Sequence, residues 1–432
     1  MATGLSILLF FLLLFILSLG IWVAPALITL GYILLEFFTP APVGSLLAST
    51  LWDASWNWAL TALPLFIWMG EILFRTRLSS EMFKGLAPML SSLPGGLLHV
   101  NVVGCGIMAA VAGSSAVTCA TIGRMSIPEL KKRNYDETLS IGSLAGSGTL
   151  GLLIPPSIML IVYGVLAQVS ISRLFIAGVL PGIMIIGIFM TYIMIRAKLN
   201  PSLAPKQDVT YTFLEKILAA KNLLPVVGLI FLVLGSIYGG YATPTEAATI
   251  GVIGALLLAW FSKSLNVKSF VDSLMGAVKT SCMINFIIVG AAFLSLAMGY
   301  TGIPKQLGQI VNDFQLSQLS LLAILTLLYI FLGCFLEGTS MMVLTASVVL
   351  PMVQTAGIDL IWFGIFTVIV VEMAQITPPV GFNLFVLQGM TGRDILKITK
   401  AALPFFFLML LSIIILVIFP EIVTAPVNFM IK

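Results

Sequence analysis

The chain has 432 residues, of which 59% are hydrophobic and only 9% are charged, and its mean hydropathy is +1.14. This composition excludes a water-soluble globular protein and any nucleic-acid partner, and it predicts an integral membrane protein throughout. A formal charge of +4 says little about soluble partners, because topology places the basic residues of a membrane protein. The only histidine is His99, so a multi-histidine metal site is excluded.

Ten apolar segments are predicted to cross the lipid bilayer. The first has no basic leader and no small-residue cleavage site, so we interpret it as a retained helix rather than a signal peptide. Amphipathic stretches at about 78–94 and 304–317 are predicted to lie along the membrane interface. The predicted spans are roughly 5–21, 23–38, 55–74, 138–165, 174–195, 222–239, 244–262, 280–300, 360–391 and 401–420.

An internal repeat interrupts two of these spans with proline pairs. Pro155-Pro156 breaks 138–165, and Pro378-Pro379 breaks 360–391. Successive prolines remove backbone donors and clash with the preceding helical turn, so the freed carbonyls must line a cavity or bind a ligand. Paired interrupted helices in two halves of a membrane protein indicate the binding site of a secondary transporter.

Each proline pair follows a small polar tip by about forty residues. The first tip contains Gly113, Ser114 and Ser115, and the second runs over 337–340 as Glu-Gly-Thr-Ser. The distance along the chain from Gly113 to Pro155 is 42 residues, and from Gly338 to Pro378 it is 40. We predict that the tips lie in re-entrant helical hairpins at about 97–127 and 318–357.

The positions of the basic residues predict the orientation. With both termini on the periplasmic side, 18 of the 21 lysines and arginines fall on the cytoplasmic side, which agrees with the positive-inside rule. The hairpins then enter from opposite sides, which makes the two halves an inverted-topology repeat. The predicted divisions are scaffold helices at 1–78, repeat 1 at 79–196, a cytoplasmic linker at 197–221, scaffold helices at 222–303 and repeat 2 at 304–432.

The tips carry the residue types that bind a small hard cation. Hydroxyls such as those of Ser114 and Ser115, together with freed carbonyls, suit Na⁺ better than a transition metal. Helix N-termini at the same place would offer N–H donors to a carboxylate. Glycine and serine in membrane helices can also serve only close packing, and Thr118, on the face of Ser115, can bond its own backbone.

Glu337 is the sharpest single candidate, because a carboxylate in an apolar run is costly. It could be a cation ligand, a proton carrier, a substrate contact or a structural partner of a backbone N–H group. Thr377 and Asn383 flank the second break, and the Asn383 amide offers both a donor and an acceptor. Glu372 is left open between support of the site and packing.

Four stretches resemble the large membrane subunit of tripartite ATP-independent periplasmic (TRAP) transporters, and the likeness runs over essentially the whole chain. The resemblance implies an elevator-type transporter in a bacterial inner membrane, coupled to Na⁺ and without an organic cofactor. It also implies a separate small membrane subunit of about four helices and a periplasmic substrate-binding protein. The stretches are 64–73, 95–123, 154–164 and 377–386.

The resemblance also implies site residues by position. One Na⁺ site would use Ser114, Ser115, Gly151, Ile154 and Pro156. A second Na⁺ site would use Gly333, Gly338, Thr377 and Val380. Substrate contacts would fall on Ser115, Thr118, Glu337, Thr339 and Asn383. The acid before the second tip is usually Asp in this family, whereas this chain has the longer Glu337.

The predicted function is therefore Na⁺-driven import of an organic acid anion. Proton coupling through Glu337 is the main alternative, and a passive channel is another. An intramembrane serine protease built on Ser115 would need a histidine base, and His99 is predicted near the opposite end of the same hairpin arm.

Overall fold

The computed structural model describes residues 2–76, 78–205, 211–304, 306, 309, 316–378 and 381–430. Within these ranges the chain is built of helices without strands. The α-helices are α1 (Ala2–Ser18), α2 (Val23–Phe38), α3 (Val43–Ser55), α4 (Ala62–Phe74), α5 (Leu78–Leu90), α6 (Leu98–Ala112), α7 (Ser115–Lys132), α8 (Glu137–Gly148), α9 (Ile158–Leu166), α10 (Ile171–Leu199), α11 (Phe213–Ala220), α12 (Leu224–Tyr238), α13 (Pro244–Phe261), α14 (Val267–Thr301), α15 (Gln318–Gly333), α16 (Gly338–Thr355), α17 (Leu360–Ala374), α18 (Phe382–Thr391), α19 (Ile395–Ile418) and α20 (Glu421–Met430).

The first proline pair breaks its helix as predicted. After α8 the chain makes a 3₁₀ turn over Thr149–Leu152, and helix resumes only at Ile158. The Ser157 hydroxyl donates to the Leu152 carbonyl and accepts from the Leu160 amide at 3.3 Å. One side chain thus satisfies backbone groups on both sides of the gap, which is how such a break persists among buried apolar helices.

The second break lies between α17 and α18. The Thr377 hydroxyl donates to the Ala374 carbonyl at 2.6 Å, and the backbone N–H of Asn383 donates to the backbone carbonyl of Gln375 at 3.3 Å. These bonds use backbone groups that an unbroken helix would have satisfied itself. Pro379 and Val380, which the sequence places in this break, lie outside the described residues.

The two halves repeat the same order of elements. Helices α6 to α10 run as helix, tight turn, helix, helix, break, short helix and long helix, and α15 to α19 run in the same order. Both hairpins are therefore present as helix pairs. The opposite membrane orientation of the two copies, and the boundaries predicted for the divisions of the chain, remain predictions.

The remaining helices include a long central one, α14, which packs against α2, α3 and α4. The span expected at 55–74 is instead part of a bent pair, in which α3 meets the segment Trp58–Phe74 at 53°. Helix α3 was not predicted, because its residues are mostly exposed and short of an apolar stripe. Helix α20, beyond the last predicted span, packs against α10.

The number of helices that could cross a membrane agrees only in part with the ten predicted spans. Among the described residues, five helices are long and apolar enough to cross a membrane, or up to seven if each bent pair is one span. The two helices that the proline pairs break are not among these, because each of their halves is too short to cross a membrane alone. Helix α5 lies in the first predicted amphipathic stretch, and most of the second stretch, 304–317, is outside the described residues.

Candidate functional site

The first tip is a tight turn between α6 and α7. Gly113 ends α6 with φ of +59°, a left-handed conformation that glycine adopts without steric cost. Ser114 is extended, and α7 begins at Ser115. Within the described part of the chain Ser114 makes no side-chain capping bond, so the first amides of α7 point toward the tip without a cap.

This tip fits into the break of its own half. A Cβ atom built on Gly151 would lie 2.6 Å from the carbonyl carbon of Ser114 and 2.8 Å from the Ser115 nitrogen. A Cβ atom on Gly113 would lie 3.0 Å from a side-chain carbon of Ile158, the first residue of α9. The glycines therefore allow the turn and the 3₁₀ segment to meet backbone to backbone.

The second tip meets the second break in the same way. Gly333, at the end of α15, lies against Ala374, at the end of α17, where a Cβ atom on residue 333 would be 3.1 Å from the Ala374 carbonyl oxygen. The Cys334 thiol donates to the Pro378 carbonyl at 3.3 Å. The turn of each hairpin is thus lodged at the break of its own repeat.

The two halves also cross-contact at this point. The Ser115 hydroxyl donates to the side-chain carbonyl of Gln375 at 2.7 Å, which joins the first tip to the second break. A Cβ atom on Gly338 would contact Gln375 Nε2 and would lie 3.2 Å from a methyl carbon of Leu152, so the second tip meets the first break. Both tips and both breaks therefore converge on one place.

Buried polar side chains surround this convergence. The set comprises Ser115, Thr118, Glu372, Gln375 and Asn383, and we call it the polar centre; each member is at most 4% exposed. Among the described residues, the Thr118 hydroxyl, both polar atoms of the Asn383 amide and Gln375 Nε2 lack hydrogen-bond partners. Unused polar groups in an apolar interior are costly, which makes them candidates for ligand binding.

Glu372 adds a fully buried carboxyl group to the polar centre. It approaches the backbone N–H groups of Leu152 and Leu153 at the first break. Neither carboxylate oxygen reaches hydrogen-bond geometry with any described group. A fully buried carboxylate in an apolar helix is a functional-site candidate by its cost alone.

The Glu337 carboxylate is not free but is hydrogen-bonded at the start of α16. Glu337 is the N-cap of α16, and its carboxylate accepts from the amides of Thr339 and Ser340 at 3.1 and 3.3 Å. The Thr339 hydroxyl also donates to it, at 2.5 Å. In this structure both residues serve the cap, so their predicted contacts with substrate would require these bonds to be shared or exchanged.

The other predicted site residues are brought together in part. Ser114, Ser115 and Gly151 adjoin, and Pro156 is buried in the same break. The Ile154 side chain faces Gly106 and Gly182 on other helices, so only its carbonyl could serve a cation. Gly333, Gly338 and Thr377 lie at the second tip and break, while Val380 is outside the described residues.

Gln375 was missed by the sequence analysis, and Glu372 was left undecided. A signal was present, since both polar residues occur in the otherwise apolar run before the second proline pair. Their closeness to Ser115 and Leu152 depends on contacts between segments more than 200 residues apart, which one sequence does not display.

The chain matches the family described as tripartite ATP-independent periplasmic transporter, DctM component, over residues 8–422. It is 31% identical to the C4-dicarboxylate TRAP transporter large permease protein DctM of Pseudomonas aeruginosa, covering 93% of each chain. It is 32% identical to the isethionate TRAP transporter permease protein DctMQ of Oleidesulfovibrio alaskensis, over 85% of this chain and 58% of that protein.

More distant relatives agree with these matches. The 2,3-diketo-L-gulonate TRAP transporter large permease protein YiaN of Escherichia coli is 27% identical, over 95% of this chain and 96% of that protein. The crystal structure of the Alcanivorax borkumensis YdaH transporter superposes with a TM-score of 0.63 at 15% identity, covering 92% and 96% of the two chains. This last likeness concerns the fold alone.

The length of the family match and the levels of identity decide to which family this chain belongs. The chain belongs to the TRAP transporter large permease family, and it is a substrate-translocating membrane subunit of a transporter rather than an enzyme.

Proposed function

We propose that this subunit imports an organic acid anion into the cell together with Na⁺. The observation that carries the proposal is the polar centre, where both tips and both breaks converge among apolar helices. Hydroxyl and carbonyl oxygens at the tips supply hard ligands for Na⁺. Inward movement of Na⁺ offsets the cost of bringing an anion into a cell with a negative interior.

The uncapped N-terminus of α7 favours an anion at the first tip. Its first amides are not used by a side-chain cap in the described structure, whereas those of α16 are bonded to the Glu337 carboxylate. An anion is stabilised by free N–H groups at a helix N-terminus and repelled by a carboxylate. The unused groups of Thr118 and Asn383 would complete the contacts with the substrate.

The substrate class is supported by what the relatives are named for. Their names give C4-dicarboxylates, isethionate and 2,3-diketo-L-gulonate, all of which are small organic anions. We expect a periplasmic binding protein to deliver the acid and a small membrane subunit to complete the complex. We further propose that the helices bearing the tips and breaks move as one body in an elevator mechanism.

Proton coupling through Glu337 remains the second candidate, because an acid within an apolar segment can carry a proton. Its carboxylate is engaged in the cap of α16, which gives this candidate less support than Na⁺ coupling. One experiment separates the two. The chain is reconstituted with its small subunit and binding protein, and uptake of labelled succinate, isethionate and 2,3-diketo-L-gulonate is measured with an inward Na⁺ gradient.

We expect uptake of at least one acid to require both Na⁺ and the binding protein, and to stop when K⁺ replaces Na⁺ at constant pH. Uptake that continues in K⁺ and follows a pH gradient would instead establish proton coupling. The helical movement is tested separately, by cross-linking one hairpin to α14, which we expect to stop uptake.

A further inference from the structure

The hydrogen bond between Ser115 and Gln375 links the two halves of the chain inside the membrane. Its length is 2.7 Å, and the two side chains are 4% and 1% exposed. Ser115 is the first residue of α7, whereas Gln375 directly follows α17. A single buried bond thus joins the first hairpin to the break of the other repeat.

The direction of this bond decides what the Ser115 oxygen can do. A serine hydroxyl has one hydrogen and two lone pairs. When the hydrogen is donated to Gln375 Oε1, only lone pairs remain for any other neighbour. The oxygen can then accept a hydrogen bond or coordinate a cation, because its proton points toward Gln375 and away from that cation.

The Gln375 side chain lies between the two tips, on a backbone that is hydrogen-bonded on both sides. Its backbone N–H donates to the Val371 carbonyl at 3.1 Å, and its backbone carbonyl accepts from the backbone N–H of Asn383 at 3.3 Å. With Oε1 facing Ser115, Nε2 faces Gly338 at the second tip, where a side chain on residue 338 would collide with it. Movement of the second tip would therefore disturb the amide that fixes the Ser115 hydroxyl.

We propose that Gln375 is a positioning residue for the cation at the first tip. Its side-chain carbonyl holds the Ser115 hydroxyl with its lone pairs toward the cation, and its contact with Gly338 makes that hold depend on the second tip. The inference rests on the proposed Na⁺ coupling. The cation affinity of the first tip then depends on residues of the second repeat.

The test measures Na⁺ binding without a substrate. The full-length chain is placed in nanodiscs, and its apparent melting temperature is followed as NaCl replaces KCl at constant ionic strength. The variants are Gln375→Met, which keeps the length and loses the acceptor, and Gln375→Glu, which keeps an acceptor oxygen. Gln375→Asn, one methylene shorter, serves as a second loss variant if Gln375→Met does not fold.

We expect Gln375→Met to raise the half-saturating Na⁺ concentration by about tenfold, the upper range for one lost hydrogen bond. Ser115→Ala should raise it at least as far, and the double variant should show no further rise. Gln375→Glu should retain a half-saturation at or below that of the wild type. Gln354→Met is the matched control, since Gln354 is exposed at the far end of α16.

Three outcomes would decide against the inference or its premise. An unchanged Na⁺ half-saturation in both Gln375→Met and Gln375→Asn would overturn the positioning role. Additive effects of Ser115→Ala and Gln375→Met would show that the two residues do not act through their bond. A wild-type chain that responds equally to Na⁺ and K⁺ would instead remove the proposed Na⁺ coupling itself.

Discussion

Gly151 and Ser114 lie so close that a Cβ atom on residue 151 would be 2.6 Å from the Ser114 carbonyl carbon and oxygen. The contact is between backbones, so it cannot be relieved by a rotation of a side chain. We expect Gly151→Ala to displace the first tip. Overpacking of this kind costs about 1–3 kcal/mol, and if this cost falls on the Na⁺-bound form it corresponds to a loss of roughly five- to 150-fold in apparent Na⁺ affinity.

Uptake in proteoliposomes as a function of Na⁺ concentration checks this expectation. The control is Gly187→Ala in α10, where a Cβ atom would meet open space among the described residues. Equal behaviour of the two variants would mean that the first tip and the 3₁₀ segment do not need their close contact.

Substitution of Thr118 can distinguish an effect on substrate binding from an effect on stability. The Thr118 hydroxyl is fully buried and lacks a hydrogen-bond partner among the described groups. Thr118→Val keeps the shape and removes this unused polar group, so the melting temperature should stay level or rise. If the hydroxyl binds substrate, the KM for the transported acid should rise about tenfold, as expected for one lost hydrogen bond.

Ser126→Ala is the control for this change. Ser126 lies two turns further along α7 and is likewise buried with a hydroxyl lacking a partner in the described structure. A KM that responds equally to both substitutions would place the effect in the helix rather than in substrate binding.

Glu337 should act mainly as a cap. Glu337→Gln keeps an acceptor for the α16 amides, whereas Glu337→Ala removes it at a cost of about 1 kcal/mol, typical of a lost N-cap. We therefore expect Glu337→Gln to keep most of its Na⁺-driven uptake and Glu337→Ala to have the lower melting temperature. Complete loss of uptake in Glu337→Gln, with an unchanged melting temperature, would favour a proton carrier.

The Glu372 carboxylate should destabilise the chain when no cation is near. It is fully buried and has no hydrogen-bond partner of standard geometry among the described residues. Glu372→Gln keeps the shape and removes the ionisable group, so we expect the melting temperature in Na⁺-free buffer to stay level or rise. Glu81→Gln, on the exposed surface of α5, should change little. A marked fall in Glu372→Gln would reveal a partner for the carboxylate.

The orientation of the chain can be tested at the two ends of α10. Arg173 is predicted on the periplasmic side and Lys198 on the cytoplasmic side, about 38 Å apart along the helix axis at 1.5 Å per residue. In a cysteine-free background, a membrane-impermeant thiol reagent added outside intact cells should label Arg173→Cys and not Lys198→Cys. The reverse pattern would invert the proposed topology.

The helix breaks at the proline pairs could be predicted from the sequence, because their physical demands are local. Two successive prolines break a helix whatever surrounds them, as the gap before Ile158 shows. The partner of Ser115 could not be predicted in this way. Gln375 reaches it only because two distant segments pack together, and the sequence does not state which segments meet.

Helix α14 is longer than the span predicted within it. The predicted span 280–300 is the apolar part of α14, whose 35 residues begin at Val267. Hydropathy reports where the lipid ends, whereas the backbone of this helix continues beyond it. Lys279 indicated where the apolar span begins, but no sequence signal indicated that the helix itself begins earlier, at Val267.

A helix of 35 residues is about 52 Å long, well over the roughly 30 Å of hydrocarbon in a bilayer. Its first turns carry Lys268, Asp272 and Lys279 and pack against Trp68 and Glu71 of α4. We expect those turns, together with the end of α4, to form a rigid helical pair that reaches beyond the hydrocarbon. A thicker or thinner bilayer would then cover more or less of this helical pair, which would let the protein enter membranes of different thickness without bending α14.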